Sequence, residues 1–126
     1  MNEIRRISLM LKRLRARFSP KKQILQNGQL ARNAERTDNE HAAVGSSWKE
    51  YWQVFTQSDY PTICPFCGRL LAQVDIDGCH IEIADRLRGD WSTMKYIIPG
   101  HHDCNMQLGK EFSVKMTLPA VEAVER

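Results

Sequence analysis

The sequence predicts an α+β protein, with helices in its N-terminal half and short strands in its C-terminal half. Apolar residues recur at spacings of three and four over residues 2–18, and an aromatic set repeats that spacing from Trp48, which is the periodicity of amphipathic helices. From Tyr60 the pattern changes to short alternating apolar runs separated by turn residues, which is typical of strands. We therefore divide the chain into a basic helical region with a linker, residues 1–45, and a small domain, residues 46–126, led by the aromatic helix.

Composition restricts the class of protein. The chain has 126 residues, of which 42% are hydrophobic and 26% are charged, the balance of a soluble globular protein. No apolar run approaches the length of a membrane span, and the N-terminus lacks the apolar core of a secretory signal. We expect no transmembrane segment and a cytoplasmic, reducing location.

The N-terminal region is expected to hold two helices. Proline disfavours the α conformation in the residue before it, so Pro20 ends the first helix, over residues 2–18, and suits the first turn of a second. The second helix is predicted to run to about residue 36, although the Asn27-Gly28 pair weakens it. Residues 37–47 lack periodicity and predict a linker.

Positive charge is concentrated in residues 1–22, which we call the basic head. The net charge is +3, but the head holds a single acid, Glu3, so the remainder of the chain is net acidic. The cations of the head are Arg5, Arg6, Lys12, Arg13, Arg15, Arg17, Lys21 and Lys22. Such a cluster favours binding to nucleic acid or to a nucleoprotein complex. The alternative is a solvated helix face whose apolar side docks on the protein.

The aromatic helix is predicted to begin at a capping box. Ser47 and Glu50 have the S-x-x-E spacing of that motif. The aromatic residues that follow lie at i, i+3, i+4 and i+7, and they are Trp48, Tyr51, Trp52 and Phe55. We expect them to pack in the core, because a base-stacking surface would carry interleaved cations.

The C-terminal half is predicted to consist of short strands and one short helix. We expect strands at residues 70–76, 79–85, 95–99 and 111–116. A helix is expected to open near residue 102, and residues 118–126 are compatible with either a strand or a frayed tail.

A CxxC motif is the most specific signal in the sequence. Cys64 and Cys67 are followed by Gly68, and two thiolates at this spacing can meet one ion from a tight turn. In a reducing compartment the motif indicates a metal site or a redox pair. The strand expected after the motif favours the metal site, since a thioredoxin-like pair is followed by a helix.

A single Zn²⁺ needs four ligands, so a second pair must come from another segment. His101 and Cys104 repeat the same spacing as HxxC, and the leading ligand set is Cys64, Cys67, His101 and Cys104. One alternative replaces His101 with His102, and another uses Cys79 or His80 in place of one ligand.

Cys79 and His80 are otherwise expected to be strand residues. Neighbours on a strand point to opposite faces, so they cannot both face inward, and Glu82 shares the face of His80. Cys79 is then interpreted as a small buried apolar residue, and His80 as either a packed strand histidine or a functional one.

The sequence resembles the zinc-knuckle branch of the HNH endonucleases over about residues 62–114. The resemblance rests on CPFC, on the strand segment GCHIEI and on YIIPGHHDCN. It implies a treble-clef or ββα-metal fold in which His80 is the general base and Mg²⁺ or Mn²⁺ assists the chemistry. The sequence departs from the family at Cys79, which stands where a metal-binding acid or histidine is usual, and in a helix that offers Asn105 and Gln107 but no histidine.

Three functions are compatible with these observations. The first is a zinc-stabilised HNH-like module that binds nucleic acid or a nucleoprotein. The second is a metal-dependent endonuclease of the HNH type that uses His80. The third is a phage-type protein-interaction or inhibitor factor whose zinc is purely structural.

Overall fold

A computed structural model describes residues 19–35, 41–43, 47–85 and 87–125, which form a curled antiparallel sheet with a helix on each face. The helices are α1 (Trp48–Thr56) and α2 (His102–Asn105). The strands are β1 (Lys22–Leu25), β2 (Leu30–Asn33), β3 (Ile76–Asp85), β4 (Asp90–Trp91), β5 (Tyr96–His101), β6 (Glu111–Ser113) and β7 (Leu118–Glu122). The predicted mixed α+β architecture is therefore confirmed.

The longest strand, β3, lies inside the sheet. The strand order is β1-β7-β5-β3-β2-β6, and β4 pairs with β3 outside this path. Cys79, His80 and Ile81 are consecutive in β3 and are each 5% exposed or less. Because consecutive residues point to opposite faces, both faces of β3 are covered at this position.

Two glycines identify what covers each face. A Cβ on Gly78 would lie 2.3 Å from the backbone of Trp48 and Lys49, so α1 begins directly over Gly78 and its face-mate His80. A Cβ on Gly100 would lie 2.5 Å from the ring of Phe66 and 3.2 Å from the sulfur of Cys79. The CxxC turn therefore packs on the face of Cys79, opposite α1. We call these the α1 face and the knuckle face.

The aromatic helix has the predicted cap and the predicted role in the core. The hydroxyl of Ser47 accepts a hydrogen bond from the backbone N–H of Glu50, and the helix begins at the next residue after the cap, Trp48. Tyr51, Trp52 and Phe55 are at most 1% exposed. Trp52 donates its indole N–H to the carbonyl of Pro119 at 2.8 Å, which satisfies a polar group that burial would otherwise leave unpaired.

The second N-terminal helix was a wrong prediction. Residues 20–36 contain β1 and β2, joined through a turn in which Gly28 adopts φ +92°. β1 pairs with β7, and β2 pairs with β3 and β6, so Leu25 and Ala31 become fully buried. These pairings join segments far apart in the sequence and override the local helical preference. The predicted helix over residues 2–18 and most of the predicted linker lie outside the described residues.

The strand predicted at residues 70–76 was also wrong. Leu70 forms only an isolated bridge with Ile63, and Gln73–Asp75 is a single 3-10 turn. Leu70 and Val74 are 81% and 91% exposed, whereas Leu71 and Ile76 are buried, so only part of the apolar set that suggested a strand packs in the core.

The remaining C-terminal predictions agree with the structure apart from their boundaries. β3, β5 and β6 occupy segments where strands were expected, β7 is the strand alternative of the two left open for residues 118–126, and α2 begins at the predicted residue. Among the described residues the longest helix, α1, has nine residues, and no helix there is long and apolar enough to cross a membrane.

Candidate metal centre

Four side chains from two segments converge on one point of the knuckle face. They are Cys64, Cys67, His101 and Cys104, and their ligand atoms lie within 4.8 Å of one another. This is the leading set predicted from the spacing, and it is positioned to bind a metal ion.

The first pair is presented by a tight turn. The N–H of Gly68 donates to the carbonyl of Cys64 at 2.8 Å, and the N–H of Cys64 donates to the carbonyl of Arg69 at the same distance. Gly68 has φ +78°, a conformation that residues with a Cβ rarely adopt, so this position favours glycine. The turn brings the sulfurs of Cys64 and Cys67 to one side.

The second pair lies where β5 passes into α2. His101 ends the strand with φ −61° and ψ 143°, and Cys104 follows within the four-residue helix. Asn33 in β2 fixes this helix: its side-chain NH₂ group donates to the carbonyls of Cys104, Asn105 and Gln107 at 2.8, 3.2 and 3.0 Å. Sequence reasoning missed Asn33, because nothing local in β2 indicates a partner some seventy residues away.

The distances suit a tetrahedral ion. In a zinc site the metal–sulfur bond is about 2.3 Å and the metal–nitrogen bond about 2.0 Å, so adjacent donors lie about 3.5 to 3.8 Å apart. The sulfurs of Cys64 and Cys104 are 4.0 Å apart, and Nδ1 of His101 is 3.2 Å from the sulfur of Cys67. The four cysteines are all free thiols, so no disulfide competes for these ligands.

The ring of His101 is oriented for metal binding. Its Nε2 lies 2.8 Å from the carbonyl oxygen of Leu70, and a carbonyl only accepts, so Nε2 carries the proton. Nδ1 is then the unprotonated nitrogen, and it is the one that faces the cysteines. A hydrogen bond of this kind to the second ring nitrogen fixes the tautomer of metal-binding histidines. His102, the predicted alternative, contacts Asp77 instead and is outside the cluster.

The cysteines differ in how readily they ionise without a metal. Burial raises the pKa of the Cys67 thiol, but hydrogen bonds from the side chain and backbone of Arg69 are the main interactions that outweigh it and lower the pKa to about 6. Burial and the negative charge of Cys64 raise the pKa of Cys104 to about 12. The guanidinium Nε of Arg69 is 3.5 Å from the sulfur of Cys67. Sequence reasoning overlooked this arginine, which offsets part of the negative charge of the thiolates.

The other candidates of β3 lie apart from the cluster. Cys79 is fully buried, its thiol approaches the carbonyl of Asp77 at 3.6 Å, and burial raises its pKa well above the usual value. His80 is 5% exposed and lies on the α1 face, where its ring meets Trp48 edge to face with a centroid distance of 4.6 Å. The structure does not bring His80 and the cysteines together, and its role as a general base stays a prediction.

The basic head is represented by Lys21 and Lys22 alone, since its other cations lie outside the described residues. Both lysines are exposed, and Lys22 is the first residue of β1. The described structure therefore gives the point at which the head joins the sheet.

A second polar cluster lies beside the metal centre. One carboxylate oxygen of Asp77 accepts hydrogen bonds from Nδ1 of His102 at 2.7 Å and from the side chain of Asn105 at 3.0 Å. The bond to Asp77 and its negative charge raise the pKa of His102, whose side chain is 61% exposed. The ring borders a cleft of about 420 Å³ that Arg69 and His101 also line. The pairing of Asp77 with Gly100 places the carboxylate near α2, a register that the sequence alone does not give.

Comparison with known proteins assigns no family to this geometry. No family model matches the chain, and neither a curated protein nor a solved structure is significantly similar to it.

Proposed function

We propose that the chain is a zinc-stabilised, HNH-like module that binds nucleic acid. The observation that carries the proposal is the convergence of three cysteines and one histidine on the knuckle face. Three soft thiolates and one imidazole are the donors that zinc prefers, and a set of four protein ligands is typical of closed structural sites.

The order of the elements around the cluster supports the family resemblance. The CxxC turn precedes β3, β3 pairs with β5 in an antiparallel manner, and α2 follows β5 directly with the second ligand pair. A knuckle, two paired strands and a helix that begins at the second pair of ligands are the components that the resemblance implies.

The basic head supports nucleic acid as the partner. It carries eight cations over 22 residues in a chain whose remainder is net acidic. Binding that depends on such contacts becomes weaker as salt is added, because each neutralised phosphate releases counterions.

The test is binding of labelled single-stranded and duplex DNA and RNA to zinc-loaded protein at several salt concentrations. We expect affinity to fall steeply with salt, and the triple variant Arg13→Glu, Arg15→Glu, Arg17→Glu to lose at least tenfold in affinity. A control with the same charge change outside the head is Lys49→Glu, Lys110→Glu, Lys115→Glu, which should retain most of the affinity. If the wild-type protein binds none of these nucleic acids at about 50 mM salt, the proposal is wrong and a protein-interaction factor becomes the better interpretation.

A metal-dependent nuclease is the second candidate, and the contacts of Asp77 favour it. Nδ1 of the exposed His102 is bound to the carboxylate of Asp77, which leaves Nε2 available to contact a reactant. Histidines that act as general bases are oriented in this way. In phosphodiester hydrolysis this base would take a proton from water as the water oxygen bonds to phosphorus, and the bond to the sugar oxygen would break as that oxygen takes up a proton from solvent. Mg²⁺ or Mn²⁺ would supply charge stabilisation for the phosphate.

Plasmid cleavage distinguishes the two candidates and the two histidines. A nuclease should nick supercoiled DNA in Mg²⁺ or Mn²⁺, and cleavage should disappear in His80→Ala if His80 is the base, as the resemblance implies. Loss in His102→Ala with retention in His80→Ala would assign the role to the histidine beside Asp77. The metal content of each variant should be measured, because His80 is buried and its replacement can also disturb the fold.

A further inference from the structure

A broad cleft lies at the far end of β3 from the metal centre. β3 begins at Ile76, which pairs with His101, and its last residues border a cavity of about 750 Å³. Ile83 and Tyr96, which are 3% and 6% exposed, contribute an apolar floor. The volume lies within the range of small-ligand sites.

One wall of this cleft is rich in carboxamides. Gln23 of β1 and the turn residues Gln26, Asn27 and Gln29 line it together. The carboxamides of Gln26 and Gln29 are partly occupied, because the hydroxyl of Thr117 donates to Gln26 at 3.5 Å and the backbone N–H of Gln26 donates to Gln29 at 3.1 Å. In the part of the chain that the structure describes, the side chains of Gln23 and Asn27 have no hydrogen-bond partner in the protein. These two residues can therefore offer donors and acceptors to a ligand.

The opposite wall carries little net charge. Asp85 accepts hydrogen bonds from the N–H groups of Leu87 and Arg88 and so shapes the turn after β3. The guanidinium of Arg88 lies 3.4 Å from a carboxylate oxygen of Asp90, which balances its charge. The cleft thus lacks the cluster of cations or acids that a strongly charged ligand would require.

An apolar floor and neutral carboxamides suit a planar, uncharged ligand with hydrogen-bonding edges. A nucleobase has these properties, and asparagine and glutamine side chains pair well with base edges. A base that is stacked and paired in a duplex cannot enter such a cavity, whereas an unstacked base can.

The basic head meets the sheet at this cleft. Lys21 and Lys22 are exposed and immediately precede Gln23, which lines the carboxamide wall. Phosphates bound by these two lysines would hold the neighbouring nucleotides of the same strand close to the cavity.

We infer that this cleft receives an unstacked base of a single-stranded nucleic acid whose flanking phosphates contact Lys21 and Lys22. The inference rests on the proposed function and specifies its ligand. The head contributes sequence-independent affinity, and the cleft contributes selectivity for single strands over duplexes.

The test measures the anisotropy of a labelled strand of about 12 nucleotides, as DNA and as RNA, with an abasic strand and a duplex of the same length for comparison. The double variant Gln23→Ala, Asn27→Ala should bind the single strand about tenfold more weakly, because base contacts are lost while phosphate contacts remain. Its affinity for the duplex and the salt dependence of that affinity should not change. The wild-type protein should bind the abasic strand as weakly as the variant binds the intact one.

The matched control is Gln53→Ala, Gln73→Ala, which removes two carboxamides outside the cleft and should retain wild-type affinity. Comparison of the DNA and RNA strands shows which sugar the protein prefers. A loss of affinity in Gln23→Ala, Asn27→Ala that is confined to DNA or to RNA also supports the inference. Unchanged single-strand affinity in Gln23→Ala, Asn27→Ala would overturn the inference. The proposed function would still stand in that case if the triple variant Arg13→Glu, Arg15→Glu, Arg17→Glu lost binding. If the wild-type protein binds no nucleic acid, both are overturned.

Discussion

Nε2 of His101 donates a hydrogen bond to the carbonyl of Leu70, which closes the same turn that presents Cys64 and Cys67. One short segment therefore supplies two ligands and fixes the ring of a third. The backbone N–H of His101 also approaches the sulfur of Cys64 at 3.4 Å, so the two halves of the site orient each other before any ion binds. Such mutual orientation is what a closed metal site requires.

Arg69→Ala should raise the pKa of Cys67 in the metal-free protein. The wild-type thiol has a pKa of about 6, because hydrogen bonds from Arg69 favour the thiolate against the opposing effect of burial. The rate of alkylation at Cys67, followed by mass spectrometry from acid to alkaline pH, should therefore have its midpoint near 6 and move to higher pH in the variant. Lys115→Ala removes a neighbouring cation as the control. An unchanged midpoint in Arg69→Ala would contradict the assignment.

Asn33→Ala should destabilise the fold by about 1 to 3 kcal/mol. Asn33 is 2% exposed, and its replacement leaves three carbonyls of the α2 segment without their donor. The free energy of unfolding, measured by urea denaturation at constant zinc concentration, should fall accordingly. Gln23→Ala, which removes an exposed strand carboxamide, should change it by less than about 0.5 kcal/mol. Equal stability of the two variants would mean that Asn33 does not hold α2.

Gly78→Ala should be one of the most damaging small substitutions in the chain. Its Cβ would lie 2.3 Å from backbone atoms of Trp48 and Lys49, so α1 would have to move away from β3. Overpacking of this kind costs about 1 to 3 kcal/mol or more, and thermal unfolding should begin at a clearly lower temperature. Gly89→Ala is the control, because a Cβ at Gly89 would meet no other atom within 4 Å. Its φ of +74° is unfavourable for alanine, so this substitution should cost only about 1 kcal/mol of backbone strain. If Gly78→Ala is the milder variant, α1 does not pack as described.

The parts of the site that the sequence predicted are those set by short spacings. The two ligand pairs each depend on three-residue intervals, and the cap at Ser47 depends on one as well, so local geometry determines them. Residues 20–36 were misassigned because β1 and β2 gain their stability from β7, β3 and β6. Asn33 and Asp77 were missed for the same reason, since the register of distant strands decides what they touch.

The pair formed by His102 and Asp77 should stabilise the fold at acid pH and not at alkaline pH. Because the hydrogen bond to Asp77 raises the pKa of His102 above 6.5, the folded protein holds the proton more tightly than the unfolded chain. This contribution is complete below about pH 6.5 and is lost as the pH rises through the raised pKa. His102→Gln should therefore lower the unfolding temperature at about pH 5.5 and have little effect near pH 9. The same substitution at the exposed His41 is the control, and a pH-independent effect of His102→Gln would contradict this account.

Removal of the metal should loosen the knuckle face before the α1 face. Tyr51, Trp52 and Phe55 hold α1 by apolar burial, whereas the CxxC turn and α2 rely on ligands that a metal would join. Cys104→Ser, or treatment with a chelator, should abolish binding of one equivalent of zinc and raise amide hydrogen exchange in residues 64–70 and 101–105 well above that in α1. Cys79→Ala is the matched control, because it removes a buried cysteine of the same face that lies outside the cluster, and it should retain the zinc. Retention of stoichiometric zinc in Cys104→Ser, or its loss in Cys79→Ala, would show that the ligand set is different.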